Sequence, residues 1–396
     1  MISATSRPYI DASVAVLREH GLAITTTFYR NLFAAHPELN NLFNMGNQAS
    51  GAQQQSLASA VFAYAANIGD PGALGPVVNR IVHKHVSVGI RAEHYPIVGK
   101  YLLGAIAETL GDAATAPLLA AWDEAYSSLA ALFIAAEKSL YAQVGISPGQ
   151  TRAVRVTEVI QQGADIKSIR FVALDGAPLP ASKAGQYVSV TVNFADGRTQ
   201  LRQYSLSDAT GDSMRISVKR EAEGEATPAG EVSNWIHANV AVGSTLMVSP
   251  PCGEFAIDTE SEEPVVLLSA GVGITPMIAA LNRIAQVNPK RHVIFAHAAR
   301  DASFQAHRAD IAAARSAMPN LGVATFYESL DGSAGALEGM MDVRAMPSWP
   351  RSDTNVYLCG PLPFMQAQWQ SLVGAGVPVT RLHREVFGPD MLDHLL

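Results

Sequence analysis

The period of the hydrophobic pattern changes twice along this chain, and each change limits what can fold around it. Up to Ser147 apolar residues recur at three and four positions, alanine and leucine are frequent, and no run of alternating β-branched residues occurs. Breaks at His36–Pro37, Gly69–Pro71, Tyr95–Pro96 and Gly111–Asp112 divide this stretch into about six or seven helices. After Pro148–Gly149 the pattern becomes alternation: RAVRVTEVI, SIRFVAL, QYVSVTVNF and MRISVKRE are parted by Gly, Pro and Asp turns. Short strands so spaced suggest an antiparallel barrel or sandwich. From Pro264 apolar strand, loop and helix repeat, in VVLLSAG, RHVIFAHAAR, GVATFYESL and NVYLCGP. That reads as a parallel sheet covered on both faces. The expected organisation is therefore all-α over 1–147, an antiparallel β-barrel over 148–260, and an α/β domain with a parallel sheet over 261–396.

Charge and composition narrow the class. A formal net charge of −7 argues against a nucleic-acid partner, which would need a basic surface. The two cysteines, Cys252 and Cys359, lack metal-site spacing and suit a reducing compartment. Arg7 and Asp11 flank the first short apolar run, so no signal peptide is expected, and no segment approaches the ~20 apolar residues of a membrane span. The expectation is a soluble, cytoplasmic protein.

In Val77–Ile90, VVNRIVHKHVSVGI, helical period puts Val78, Ile81, Val82 and His85 on one face and His83 with Asn79, Arg80 and Ser87 on another. His85 is then aimed inward, as a core histidine bonded to a carbonyl or as a ligand. Gln53 leads the apolar stripe Leu57, Ala60, Val61, Tyr64, either as a surface residue at a helix start or as a donor into a cavity. Tyr29 lies on the stripe Leu22, Thr26, Tyr29, Leu32, Phe33, and Phe43 falls in PELNNLFN, which is turn-like rather than helical.

Within the alternating region, LRQYSL places Arg202 and Tyr204 on one strand face and Gln203 and Ser205 on the other. A guanidinium suits a pyrophosphate and a tyrosine offers a flat face to a ring system. GEVSNWI, Gly230–Ile236, is either a phosphate seat at a helix start, with Gly230, Val232 and Ser233, or an ordinary helix capped by Ser233 or Asn234. In the last region SAGVGITPM follows a strand and opens a helix; Gly271 and Gly273 permit close approach of a phosphate, with Pro276 where the dinucleotide fingerprint has its third glycine. Cys359-Gly360-Pro361 ends a later buried strand, near the crevice where such sheets bind ligands. Arg300, after HVIFAHAAR, could meet a 2′-phosphate or cap a helix, which leaves NADH and NADPH open.

The order Tyr29, Pro37, Phe43, Gln53, Leu57, His85, Tyr95, Glu137 resembles the globin domain of bacterial flavohaemoglobins. The resemblance implies haem b with His85 on the iron, Phe43 packed on the porphyrin, and Tyr29, Gln53 and Leu57 on the ligand side. It also implies Tyr95 and Glu137 bonded around His85, which raises its basicity. AGQY (Ala184–Tyr187) with Arg202, Tyr204 and Ser205 resembles the flavin domain of the ferredoxin-reductase family. FAD is implied, with Tyr204 against the isoalloxazine, Arg202 on the pyrophosphate, Gln203 and Ser205 alongside, and Tyr187 near the adenine. The loop EAEGEATPAG departs from that family as an insertion. Gly271, Val272, Gly273, Thr275 and Pro276, then Cys359, Gly360 and Pro361, match the family's nicotinamide domain and imply NADH or NADPH. In REVFGP the likeness sets Glu385 near the reacting centre and Phe387 over the flavin, followed by Gly388 and Pro389. Val386 and Ile274 stand where flavohaemoglobins often carry cysteine and glutamine. The implied activity is nitric oxide dioxygenation, with NO and O₂ as substrates, in a monomer; lipid in the haem pocket stays open. The rivals are a haem sensor or carrier, and an NO or peroxide reductase on the same scaffold.

Overall fold

Helices, barrel and parallel sheet follow one another in the expected order. The structure, a computed structural model, describes residues 2–224, 227–330 and 332–389. The helical part comprises α1 (Arg7–Ala35), α2 (Met45–Ala49), α3 (Ala52–Ala66), α4 (Pro71–Val88), α5 (His94–Leu110) and α6 (Ala116–Val144). The breaks have local causes. Asp70 caps α4 by accepting from the Gly72 and Ala73 N–H groups, with Pro71 at the first helical position. Thr115 caps α6 through the Leu118 N–H. Ile10, Leu17, Ile24, Phe28 and Leu32 of α1 bury against Leu102 and Ile106 of α5 and Trp122 of α6. Each such side chain contributes about 1.5–3 kcal/mol by leaving water, so this face fixes the helices.

Four local expectations are corrected. The inner stripe of α1 does not run through Leu22, which is 48% exposed, or through the exposed Thr26. It runs through Leu17, Gly21, Ile24, Thr25 and Phe28, because α3 crosses closely there: Thr25 donates to Gln54 O at 2.9 Å, and a Cβ on Gly21 would sit 3.6 Å from Ala58. Pro37–Leu42 is a 3₁₀ helix rather than an open turn, entered by Pro37. Ser87, expected on the water side with His83, is buried and bonds back to Lys84 O at 2.7 Å. Finally, α6 is long and apolar enough by composition to cross a membrane. Its alanine content lifts its hydropathy, yet Trp122, Phe133, Glu137 and Tyr141 bury on its inner side, the packing of a core helix.

Next, β1 (Arg152–Gln161), β2 (Ile166–Ala173), β3 (Tyr187–Asn193), β4 (Thr199–Thr210), β5 (Ser213–Lys219), then α7 (Glu231–Asn239) and β6 (Thr245–Val248) follow. The strands close into a barrel in the order β1-β2-β5-β4-β3-β6. Part of the expected insertion, residues 225–226, lies outside the described residues.

The last region alternates β7 (Val265–Ala270), α8 (Ile274–Val287), β8 (Val293–Ala299), α9 (Arg308–Ala317), β9 (Leu321–Tyr327), β10 (Leu337–Glu338), β11 (Asn355–Cys359), α10 (Leu362–Gly374) and β12 (Leu382–Glu385). Its sheet has the order β10-β9-β8-β7-β11-β12, all parallel. Successive β7 residues serve different cores. Val265 and Leu267 pack with Met277, Ile278 and Ile311, whereas Val266 and Leu268 pack with Trp349 and Leu372. This is why the strand reads as an unbroken apolar run. Contacts divide the chain into two compact units, one chiefly Met1–Thr151 with Thr191–Arg202, the other Arg152–Val190 with Gln203–Phe387.

Candidate functional site

His85 sits in the last turn of α4, on the face shared with Val78, Ile81 and Val82. Its Nδ1 lies 2.7 Å from Oε1 of Glu137, on α6, and 3.0 Å from the Tyr95 hydroxyl, on α5. Tyr95 also donates to the same carboxylate oxygen. Glu137 is 3% exposed, and a buried carboxylate accepting from both partners fixes the Nδ1–H tautomer of His85. Burial first, and the adjoining Glu137 second, push the Tyr95 phenol pKa up, so it stays a donor. Phe133, one turn before Glu137, lies 5.7 Å from the imidazole and stacks on Tyr95. Tyr126 donates to Tyr95 O at 2.6 Å. The imidazole is thus held in position and tautomer, and Nε2 keeps a lone pair.

A second cluster forms around Tyr29 of α1, 4% exposed. Its ring stacks on Phe33 and meets Phe28 and Phe43 edge-on. Burial pushes its pKa up, while the side chains of Gln53 and Gln48, in hydrogen-bonding reach of the hydroxyl, oppose that. The buried Gln48 Nε2 closes no well-formed bond elsewhere; Gln48 Oε1 accepts from Gln54 at 3.1 Å. Gln53 is half-buried and close to the Tyr29 hydroxyl. Leu57 and Val61 on α3, with Val78 and Ile81 on α4, are apolar yet only partly buried. One fixed imidazole with a spare nitrogen, together with half-buried apolar walls, fits a haem. The sequence brings together His85, Tyr95 and Glu137, and separately Tyr29, Phe43 and Gln53.

Arg202, Gln203, Tyr204 and Ser205 are consecutive on β4. Ser205 is buried and the other three are half-buried. Arg202 Nη1 donates to Gln200 Oε1 at 3.0 Å and Leu201 O at 2.8 Å. Tyr187, at the start of β3, is nearly buried and pairs its backbone with Cys252. The Gly230 start of α7 has no side-chain cap. Ser233 and Asn234, expected as possible caps, instead tie Gly230 to the Glu221 segment: Ser233 accepts from Glu221 N, and Asn234 donates to Glu221 O. Val232 is buried beneath the turn. An uncapped helix start of this kind suits a phosphate.

In the parallel sheet the chain proceeds outward from β7 through β8 on one side, whereas β11 lies on the other, so the switch point falls between β7 and β11. Gly271-Val272-Gly273 caps β7 there, and Cys359-Gly360-Pro361 follows β11. A Cβ on Gly273 would stand 2.3 Å from Cys359 O, so glycine alone permits this approach. Thr275 donates to Val272 O at 3.1 Å, Pro276 is buried in the first turn of α8, and the Cys359 thiol is in the core. Glu385 pairs with Cys359 across β12, and Phe387 is 43% exposed just before Gly388 and Pro389. The open crevice at the strand ends fits a dinucleotide.

Phe133 and Gln48 escaped the sequence reading. Phe133 carried a usable signal, its spacing of four from Glu137; Gln48 sits in a five-residue helix, too short to show a period.

The helical and parallel-sheet parts define a globin joined to an NAD-binding oxidoreductase. Residues 26–132 match the family described as Globin, and residues 267–370 match the Oxidoreductase NAD-binding domain. A flavohemoprotein of Bordetella parapertussis is 47% identical, covering 98% of this chain and 99% of that protein. The crystal structure of a Malassezia yamatoensis flavohemoglobin with bound FAD and heme covers 98% of this chain and 100% of that one, at 30% identity and a TM-score of 0.87. The FAD/NAD-binding domain of nitric oxide dioxygenase from Vibrio cholerae covers 60% of this chain and 99% of that one, at 35% identity and a TM-score of 0.56. The chain belongs to the flavohemoprotein family.

Proposed function

We propose that this protein is a nitric oxide dioxygenase that binds haem b, FAD and NAD(P)H and converts NO and O₂ to nitrate. The observation that carries the reading is the His85–Glu137–Tyr95 group in a chain that continues into an NAD-binding oxidoreductase module. Support comes from the bound FAD and heme of the Malassezia relative and the name of the Vibrio one. Haem would supply an iron centre for oxygen chemistry, and FAD the conversion of a two-electron hydride into single electrons. Each NO and O₂ needs one electron to become nitrate, so one hydride serves two turnovers.

The chain's own groups divide the work. His85 Nε2 would hold the iron, and the Glu137 carboxylate would orient the ring and raise its donor strength. Tyr29 and Gln53 would donate to a diatomic substrate that gains negative charge. Phe43 and Leu57 would wall the pocket and keep water out. Arg202 and the open start of α7 would hold the FAD diphosphate, with Tyr204 and Tyr187 against its rings and Gln203 and Ser205 beside them. Gly271, Gly273 and Gly360 would admit the NAD(P)H diphosphate, with Phe387 and Glu385 bounding the nicotinamide. A carrier or sensor of the same globin type would need no hydride donor. The test is NADH-dependent loss of NO under air by protein loaded with haem and FAD; oxygen binding without NO loss would favour the carrier.

A further inference from the structure

Arg300 follows β8 directly, one strand out from the glycine turn after β7. In sheets of this topology that position meets the adenosine ribose, where a carboxylate bonds a 2′-hydroxyl or an arginine takes a 2′-phosphate. By residue type Arg300 suits the phosphate, but its guanidinium is already engaged. Nη2 lies 3.3 Å from Asp165 Oδ2, and Cζ lies 3.5 Å from the centre of the Phe304 ring. The Asp165 side chain is 16% exposed, against 57% for Arg300.

Asp165 is built into this place. The Ala164 N–H donates to Ser303 O at 2.8 Å, and Asp165 O accepts the Arg220 N–H at 2.7 Å. Gly163 has φ 141°, and a Cβ on it would stand 2.8 Å from Ser303 O, so glycine lets the β1–β2 turn reach the loop after β8. The other carboxylate at this strand end, Asp301, is occupied: its Oδ1 accepts from Ser303 N at 2.7 Å and Ser303 Oγ at 2.6 Å.

We propose that the Arg300–Asp165 pair decides between NADH and NADPH and holds this protein to NADH, an inference that rests on the NAD(P)H-linked function proposed above. A 2′-phosphate approaching Arg300 meets a fixed carboxylate beside it, and must share the guanidinium with an anion whose backbone cannot withdraw. A 2′-hydroxyl brings no charge and can donate to that carboxylate. Lys167 and Arg220 line the adjoining cavity of ≈ 360 Å³ together with Ala164. Asp165 thus stands next to two basic residues, Lys167 and Arg220, as well as Arg300.

The experiment is stopped-flow reduction of the flavin in the full holoprotein, with NADH and NADPH in turn. Wild type is expected to favour NADH. Asp165→Asn should raise the NADPH-to-NADH efficiency ratio on the order of tenfold, through NADPH affinity, with NADH changed by less than about twofold. In Asp165→Asn/Arg300→Gln the gain should vanish, because it acts through the guanidinium. A wild type that favours NADPH, an unchanged ratio in Asp165→Asn, or a gain that survives in the double variant would each overturn the proposal. So would a parallel loss with both nucleotides, the mark of a merely structural aspartate. A wild-type flavin that neither nucleotide reduces would instead bring down the functional reading itself, and the proposal with it.

Discussion

Two histidine–carboxylate pairs, one in each compact unit, share the same chemistry and differ in what they leave unused. His85 gives one nitrogen to Glu137 at 2.7 Å, and its side chain is 30% exposed. His307 is wholly buried and uses both nitrogens, Nδ1 to Asp310 at 2.9 Å and Nε2 to Ser217 at 3.0 Å. Asp310 in turn accepts from Arg215 and Asn282, each at 3.0 Å. Even the His307 backbone, at φ 60°, is engaged, its N–H donating to Gln162. The first pair ends in a lone pair that can bind something. The second is a closed knot between the barrel and the sheet. A histidine held on one nitrogen and half-open on the other side, as His85 is, is thus a ligand candidate.

The largest contrast comes from removing each imidazole. His85→Ala should lose stable haem, read as loss of the Soret band, while FAD stays bound and NADH still reduces it. His307→Gln should keep haem but destabilise the reductase unit, since Asp310 and Ser217 lose a buried partner; leaving a buried group unsatisfied costs about 1–3 kcal/mol. Denaturant midpoints of the two variants check this, and equal haem loss in both would erase the distinction.

Next in size is Tyr29→Phe. A donor to a charged ligand contributes about 1.5–3 kcal/mol, so O₂ dissociation should quicken about tenfold to a hundredfold, with CO dissociation nearly unchanged. Flash photolysis measures both, and equal acceleration of the two gases would remove Tyr29 from that role.

A further effect is graded with pH. Burial, then the neighbouring His307, pushes His297 down to about 3, and burial likewise lowers His307. The folded state holds both neutral, while the unfolded chain takes a proton near pH 6.5. Their contribution is therefore fully present above about 6.5 and is lost as pH falls below it, for His297 by about 1.4 kcal/mol per pH unit down to about 3. His297→Asn should flatten that acid limb in urea titrations; an unaltered slope would contradict the assignment.

What was legible in the sequence followed from period. The inward face of α4 and the doubly buried strands of the sheet declare themselves by spacing alone. The His85–Glu137 bond joins residues 52 apart, so only the resemblance could pair them. The α1 stripe was displaced because a helix–helix crossing, not the local pattern, chose its face. The His307 knot was invisible for a related reason. Strand β5 is buried from Met214 to Val218 on both faces, so alternation could not mark Arg215 and Ser217 as turned towards a second domain.

In the proposed reaction a fixed His85 and its polar pocket put both atoms of O₂ onto NO. Holoprotein given NADH, NO and isotopically labelled O₂ tests it most directly, with the nitrate analysed by mass. NADH-dependent nitrate carrying both heavy oxygen atoms is expected. Unlabelled nitrate, or NO consumed without nitrate while the flavin turns over, would contradict it.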